Sequence, residues 1–575
     1  MLYEQLAHAY RDLEQGSARL ELISRLATLF AETPTELLPT VALLCQGKIA
    51  PDFAGVDLGL AERLAARAVA EAVGVTQDQV LAHARTTGDL GLTAEQLLAQ
   101  TTTAPGLEVQ VVFDTLHEVA AAAGSGSQGR KLALFAGLLR QATPLEARYL
   151  VRTVTGNLRL GIGTATILDA LAQVYAGGRK ARPVLERAYN ICSDLGLVAS
   201  TLASGGLAAV EQIHVRAGNP VRPMLAQRLS STAEILAKLG GSCAAEYKYD
   251  GIRVQAHRTA DGQLELYTRG LERMAWQFPD VVEVLDAGLG PREAILEGEV
   301  VAFDPASGEL RPFHEVMYRR RKHGITEAVG EMPVSLFCFD LLYVDGEDLT
   351  RLGYVERRRR LAEAVTPSER LRLATADRVT DEAALEAVFE QAVADGCEGL
   401  LCKSLSPTAG YQAGARGWLW IKLKRDYRTE LSDTLDLVVV GAFYGRGRRV
   451  GVYGALLLAS YDPADDRFQT VTRCGTGFSD ADLAALPERM APLARAGRPA
   501  RVDARVEADV WFEPAVVVEV LAAEITPSPN HSAGLALRFP RFTGRWRDDK
   551  VPEDATTTVE IAEMYQRARP ARTGA

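Results

Sequence analysis

The run Glu246-Tyr247-Lys248-Tyr249-Asp250-Gly251-Ile252-Arg253 reads as a strand that ends in a glycine turn. Taken alone, a K-x-D-G is more simply a strand with a snorkelling lysine. Four later segments change that reading. In Ile295-Leu296-Glu297-Gly298-Glu299-Val300-Val301, the carboxylates at 297 and 299 share one strand face with Ile295 and Val301. Buried carboxylates need cations, so a divalent metal or a ribose hydroxyl would satisfy them. Glu398-Gly399-Leu400-Leu401-Cys402-Lys403 sets another acid beside a similar apolar strand. Trp420-Ile421-Lys422-Leu423-Lys424 alternates, so Lys422 and Lys424 point the same way. Two ammonium groups about 7 Å apart repel unless an anion such as phosphate lies between them. Leu537–Arg541 and Arg545–Lys550 then form a basic, aromatic cluster.

Away from these segments the texture divides in three. Up to about residue 215, Leu, Ala and Val recur at helical spacing in Glu4–Phe30, Thr35–Leu44, Leu60–Ala72 and Thr164–Tyr175. Gly124-Ser125-Gly126-Ser127-Gln128-Gly129-Arg130-Lys131 reads there as a flexible loop ending in two cations. Arg159-Leu160-Gly161-Ile162-Gly163 would allow close backbone approach. Strand-like alternation follows Gly218-Asn219-Pro220, in Tyr247–His257, Leu264–Thr268, Ala294–Phe303, Val334–Val344 and Gly399–Lys403, with a helix over Asp381–Ala394. From Leu435 come the short strands Leu435–Phe443, Gly454–Tyr461, Phe468–Cys474 and Val516–Ile525, which suit a small β-barrel of the OB type. Arg357–Arg360 reads as an exposed helical face beside Glu356 and Glu363. Arg319-Arg320-Arg321-Lys322 reads as a solvated loop or a phosphate contact.

Composition bounds the class. With 575 residues, 47% hydrophobic and 24% charged, the chain is long enough for several ordinary globular domains. Its ten Lys stand against 54 Arg, so a retained Lys is the better candidate for amine chemistry; five of the ten (248, 403, 422, 424 and 550) fall in or beside the segments above. Seven scattered Cys without C-x-x-C spacing suit a reducing cytosol and give no zinc ribbon. The first residues carry no secretory signal, and no apolar run approaches a membrane span. No P-loop occurs: Gly47-Lys48 is followed by Ile49. The net charge of −10 argues at first against a partner as acidic as DNA. Yet residues 151–187, 400–428 and 538–550 carry local charges of +4, +5 and +3. At physiological salt the screening length is about 8 Å, so a phosphate senses those segments more than the total.

The ordered set resembles the ATP-dependent DNA ligases, within the superfamily of covalent nucleotidyltransferases that includes RNA ligases and mRNA-capping enzymes. Lys248, Asp250, Gly251 and Arg253 match its K-x-D-G-x-R motif. Tyr267–Gly270, Glu297-Gly298-Glu299, Phe337–Asp340, Glu398-Gly399, Trp420–Lys424 and Arg538-Phe539-Pro540-Arg541 follow in order. Pro223–Ala226, Asp433–Ala442 and Asn157–Gly161 extend the likeness over nearly the whole chain. The resemblance implies an all-α DNA-binding domain at 1–217, an α+β adenylation domain with antiparallel sheets at 218–430, and a β-barrel OB-fold domain at 431–575.

It also implies roles. Lys248 would attack the α-phosphate of ATP to form lysyl-AMP, and its amine must lose its proton to do so. Cation crowding by Lys422, Lys424 and Arg253, or desolvation, would favour that loss. Glu246 would meet the adenine amine, Phe339 would stack on the base, and Arg253 would lie near the ribose. Lys422 and Lys424 would hold the phosphates, and Arg416 the nucleotide. Arg269 would hold the 5′-phosphate of a nick. Glu299 and Glu398 would bind Mg²⁺ or Mn²⁺. Arg541 and Lys550 would act from the OB domain on its closure, and Arg159 and Lys131 would touch DNA. The implied activity is nick sealing in duplex DNA, in replication, repair or recombination, by a cytoplasmic, nucleoid-associated monomer without a membrane partner; a sliding clamp or repair protein as partner is left open. The chain departs from the family at Thr268-Arg269-Gly270, where Ser-Arg-Asn is common, and at Glu297, where Asp is common. An RNA ligase or capping enzyme, and a non-catalytic nucleic-acid binder, are the competing readings.

Overall fold

The computed structural model describes residues 1–99, 106–305, 308–311, 313–319, 321, 324–424, 434–445, 451–522, 524–538 and 540–567. They fall into two compact units, residues 1–83 with 90–425 and residues 84–89 with 426–575.

The described residues between Tyr3 and Glu211 form α-helices joined by short turns. Most bury an apolar stripe: Tyr3–Gln15 turns Leu6, Tyr10 and Leu13 inward. The helix at Thr164–Tyr175 stands as expected, while the run read at 4–30 breaks at Gly16-Ser17 into Tyr3–Gln15 and Arg19–Glu32. The segment read as a loop at 124–131 is corrected. Gly126 takes a left-handed φ of 79° and caps the helix Ser127–Gln141, so Arg130 and Lys131 stand in its first turns. Leu132, Phe135, Ala136 and Leu139 anchor it at helical spacing.

The rest of the first unit holds two sheets. Their strands are β1 (Leu225–Arg228), β2 (Cys243–Lys248), β3 (Ile252–Arg258), β4 (Leu264–Thr268), β5 (Ala294–Ala302), β6 (Val334–Val344), β7 (Glu347–Asp348), β8 (Leu371–Leu373), β9 (Ala376–Val379), β10 (Gly399–Ser404) and β11 (Arg416–Lys424). One sheet has the order β1-β11-β10-β2-β9; the other runs β4-β3-β5-β6-β7, with β8 beside β6. Pairing is antiparallel except for β1 with β11 and β6 with β8. The first sheet packs the helices Thr232–Lys238 and Glu382–Ala394 on its outer face; the second packs Pro279–Leu289 and Tyr354–Ala364. The alternation read as one strand over Tyr247–His257 is two strands, because the chain leaves the first sheet at Lys248 and enters the second at Ile252. That crossing sets Lys248 at the mouth of the cleft between the sheets.

The second unit is a curled, mainly antiparallel β half-barrel. Its long strands β12 (Leu435–Tyr444), β13 (Tyr453–Asp462) and β14 (Arg467–Cys474) pair in sequence. The run read as one strand at 516–525 divides into Val517–Leu521, which pairs with β12, and Glu524–Pro527, which pairs with Leu535–Arg538. No helix among the described residues is long and apolar enough to cross a membrane.

Candidate active site

Strand β10 lies between β2 and β11, and its first residue, Gly399, stands opposite both Lys248 and Lys424. Glu398 therefore sits between two lysines. Its backbone N–H donates to the Lys248 carbonyl at 2.9 Å, and its carboxylate lies 2.5 Å from Lys248 Nζ and 2.6 Å from Lys424 Nζ. Only glycine fits at 399: φ is 142°, and a Cβ would stand 2.2 Å from the Leu423 carbonyl oxygen. Gly251 serves a similar purpose, since a Cβ there would stand 2.3 Å from the Val300 carbonyl oxygen. Its absence lets β3 close on β5, which sets Arg253 opposite Glu299.

The charges here are strongly perturbed. Burial alone would raise Glu398, but Lys248 and Lys424 hold it down at about 2. Burial pushes Glu299 up to about 7, against the pull of Lys248 and Arg253. Burial and the neighbouring Glu398 push Asp250 up to about 6. Cation crowding does not govern Lys248. Burial favours its neutral amine, but Glu398 and Glu299 outweigh it and raise the amine above its ordinary value. Lys422 behaves as the crowding reading requires: burial lowers it, and Lys424, Lys248, Arg416 and Arg269 lower it further. Five cations thus crowd one end of the cleft. Arg269 and Arg416 are exposed there.

The other end is closed by paired charges. Glu246 is 1% exposed. Lys403 Nζ lies 2.6 Å from its Oε1, and the Tyr354 hydroxyl donates to its Oε2 at 2.9 Å. Arg253 donates to Glu297 at 2.8 Å and to the Met224 carbonyl at 2.9 Å; Tyr411 adds a hydroxyl to Glu297 at 2.9 Å. Burial would lower Arg253, but Glu297 holds it charged and raises it. Glu297 is thereby satisfied by protein groups, which leaves Glu299 as the carboxylate on β5 to which no described residue donates. Asp340 takes two bonds from Arg357, at 2.7 and 2.8 Å. Phe339 falls at a β-bulge, between Cys338 and Asp340 that pair with Gly298 and Glu297. Its ring faces Arg253 at 5.4 Å and Lys403 at 4.8 Å.

At the departure from the family motif, Thr268 Oγ1 accepts from the N–H groups of Gly270 and Glu272, at 3.1 and 3.2 Å. The hydroxyl expected of Ser is therefore supplied by Thr. Arg159 takes a left-handed φ of 57° and lines a cavity of about 340 Å³ with Lys48, Gly161 and Gly163. Lys131 donates to the Leu58 carbonyl at 2.9 Å. In the second unit Arg541 is exposed, and Lys550 pairs with Asp436 at 2.8 Å. Phe539, Arg320, Lys322 and residues 446–449 lie outside the described residues.

Two readings of basic runs are corrected. Arg357 is buried on Asp340 and Arg358 donates to the Cys338 carbonyl, while Arg359 pairs with Glu356 and Glu363 at the surface. The helix turns the first two toward β6. Arg319 is likewise buried, on Asp280 at 2.6 Å and the Met332 carbonyl at 2.8 Å. The paired groups Tyr354, Arg357 and Tyr411 escape the motif reading. Tyr and Arg are common, and only the scarcity of Lys points to Lys403.

Comparison with known proteins gives three family models along the chain: "DNA ligase N terminus" at residues 2–172, "ATP dependent DNA ligase domain" at 223–424 and "ATP dependent DNA ligase C terminal region" at 449–550. The chain is 50% identical to "DNA ligase 2" of Thermofilum pendens, over 98% of this chain and 97% of that one. It is 48% identical to the "Probable DNA ligase" of Aquifex aeolicus, over the whole of both. A solved structure named Pmar-Lig_PreS3 shares the fold at a TM-score of 0.55 and 16% identity, over 94% of this chain and 99% of that one.

Proposed function

The chain belongs to the ATP-dependent DNA ligases, and from that premise we propose how its own residues carry the reaction. Members of this family seal nicks by enzyme adenylation, AMP transfer to a 5′-phosphate, and attack by the 3′-hydroxyl. We assign the nucleophile to Lys248. The observation that carries this assignment is the end of β2, β10 and β11, where Glu398 bridges Lys248 and Lys424 beside Glu299. A base bound on Phe339 would leave its phosphates toward Lys422 and Lys424, whose mutual repulsion an anion relieves. The Lys248 Nζ then forms a bond to the α-phosphorus, and pyrophosphate leaves. Glu398 orients the amine and favours its charged form, so the amine must give up its proton before it attacks.

Glu299 and Glu398 would hold a divalent cation, Mg²⁺ or Mn²⁺. The donor set fits: Glu299 is a half-buried carboxylate to which no described residue donates. Such an ion supplies charge neutralisation during phosphoryl transfer. Glu246 would accept from the adenine amine, and Arg253 would serve the ribose. Arg416 and Arg269 would hold nucleotide and nick phosphate. Arg541 and Lys550 would act on pyrophosphate from the second unit, and Arg159 and Lys131 on the duplex. We take the working divisions as 1–217, 218–430 and 431–575, and the enzyme as a monomer of the cytoplasm near the nucleoid. The seven free, buried cysteines support a reducing compartment.

The test is sealing of a nicked duplex with ATP and Mg²⁺ by wild type and Lys248→Ala. Wild type should seal and the variant should not, although the variant should still seal DNA that already carries a 5′-adenylate. Sealing from ATP by the variant would defeat the assignment.

A further inference from the structure

The best-satisfied carboxylate of the cleft is also the one assigned to the base. Glu246 uses both oxygens, Oε1 toward Lys403 Nζ at 2.6 Å and Oε2 toward the Tyr354 hydroxyl at 2.9 Å. Lys403 is 0% exposed, which is rare for Lys and costly without a partner. Its ammonium is ringed by aromatic faces, with centroids at 4.5 Å for Trp420, 4.7 Å for Tyr354 and 4.8 Å for Phe339. It also points at the Phe339 carbonyl, at 3.5 Å. One buried cation thus ties the ring proposed to stack on the base to the carboxylate proposed to read its edge.

The two partners are both donors. An ionised carboxylate between an ammonium and a phenol O–H can offer any third group only acceptor lone pairs. A buried carboxyl without a cation would instead take up a proton, and could then donate. Adenine presents an amine at C6, a donor. Guanine presents an oxygen there, an acceptor. We propose that Lys403 and Tyr354 are positioning residues that set purine selectivity, by clamping both Glu246 oxygens so that the carboxylate can accept from adenine and must oppose guanine. The inference rests on the assignment of Glu246 to the base. Two acceptors facing each other in a buried site leave both unpaired, and sites built on such a hydrogen bond reject the mismatched analogue by factors of about 10⁴.

The experiment measures single-turnover labelling of the full chain by α-³²P-ATP and by α-³²P-GTP, for wild type, Glu246→Gln, Lys403→Met, Tyr354→Phe and the double variant Glu246→Gln/Lys403→Met. Lys403→Met keeps length and apolar volume and removes the charge. The ATP-to-GTP ratio of kcat/KM should fall at least tenfold in Lys403→Met and less, in the same direction, in Tyr354→Phe. Once Glu246 is Gln, the Lys403 substitution should change the ratio little further, as expected when one residue acts through another. A merely structural pair would lower both nucleotides equally and leave the ratio unchanged, which would overturn the proposal. Should Lys403→Met fail to fold, the ratio in Tyr354→Phe decides the question in the same way. If Glu246→Gln leaves the ratio as in wild type, Glu246 does not read the base and the underlying assignment fails. If Glu246→Gln shifts the ratio but neither Lys403→Met nor Tyr354→Phe does, the positioning role fails alone.

Discussion

At the base end of the cleft, each carboxylate has its own cation and hydroxyl or second bond: Glu246 with Lys403 and Tyr354, Glu297 with Arg253 and Tyr411, Asp340 with Arg357 twice over. At the phosphate end, Lys248, Lys422, Lys424, Arg269 and Arg416 crowd around Glu398, Glu299 and Asp250, and two of those acids are pushed up to about 7 and 6. The same strands supply both ends. The difference is that one end is complete within the protein, whereas the other keeps electrostatic strain that an incoming phosphate and divalent ion would relieve. Substitutions at the base end should therefore cost stability, and those at the phosphate end should cost activity.

Arg357→Ala is the sharpest way to break that contrast. It leaves Asp340 as an uncompensated buried charge, and such losses typically run to about 3–5 kcal/mol. Thermal unfolding of the first unit should fall by many degrees; an unchanged transition would mean that this pair is not structural. Lys422→Ala should do the reverse. It removes a proposed phosphate contact and a like-charge repulsion, so the rate of enzyme labelling should drop by roughly 10²-fold while the unfolding temperature holds or rises. A fall in stability comparable to that of Arg357→Ala would erase the distinction between the two ends.

Glu299 gives a pH test with a definite sign. Its folded value of about 7 lies above the ordinary value of 4.5, so the folded state binds its proton more tightly than the unfolded one. Its ionisation costs stability progressively as pH rises from 4.5 to 7, and the full cost persists above 7. Glu299→Gln should therefore raise the unfolding temperature at pH 8, by about 2–4 °C for each kcal/mol recovered, and leave it unchanged near pH 4.5. Binding of Mn²⁺ should weaken below pH 7 in wild type and lose that dependence in the variant. A variant that is no more stable at pH 8 would contradict the perturbed carboxylate. The smallest effect belongs to Arg359→Ala. It lies two residues from Arg357, but its ion pairs with Glu356 and Glu363 are exposed. Its loss should leave the unfolding temperature essentially unchanged; a clear fall would show that solvent does not screen that helix face.

Much of this is legible in the sequence. The bounds read for Leu264–Thr268 and Val334–Val344 match the strands to the residue, and the second is a run of β-formers buried at every position rather than an alternating one. The motif residues Lys248, Glu398, Lys422 and Lys424 come together because their strands are neighbours in one sheet. The pairing order itself is not legible. Tyr247–His257 is one stretch in the alternation reading, yet its apolar phase moves from 247 and 249 to 252, 254 and 256 across Gly251, where the chain passes between sheets. Charge is misleading where burial depends on tertiary contact. Arg357 and Arg319 look like solvated cations in the sequence but sit on Asp340 and Asp280, acids 17 and 39 residues away. The state of Lys248 is hidden for the same reason, since Glu398 reaches it only through the pairing of β2 with β10.

The central claim is that the amine at the end of β2 takes the nucleotide. The most direct measurement incubates the full chain with ATP and Mg²⁺, digests it, and locates the adenylyl group by mass spectrometry. The account predicts AMP on the peptide containing Lys248, lost on addition of nicked duplex and missing from Lys248→Ala. AMP on any other residue, or equal labelling of Lys248→Ala, would contradict it.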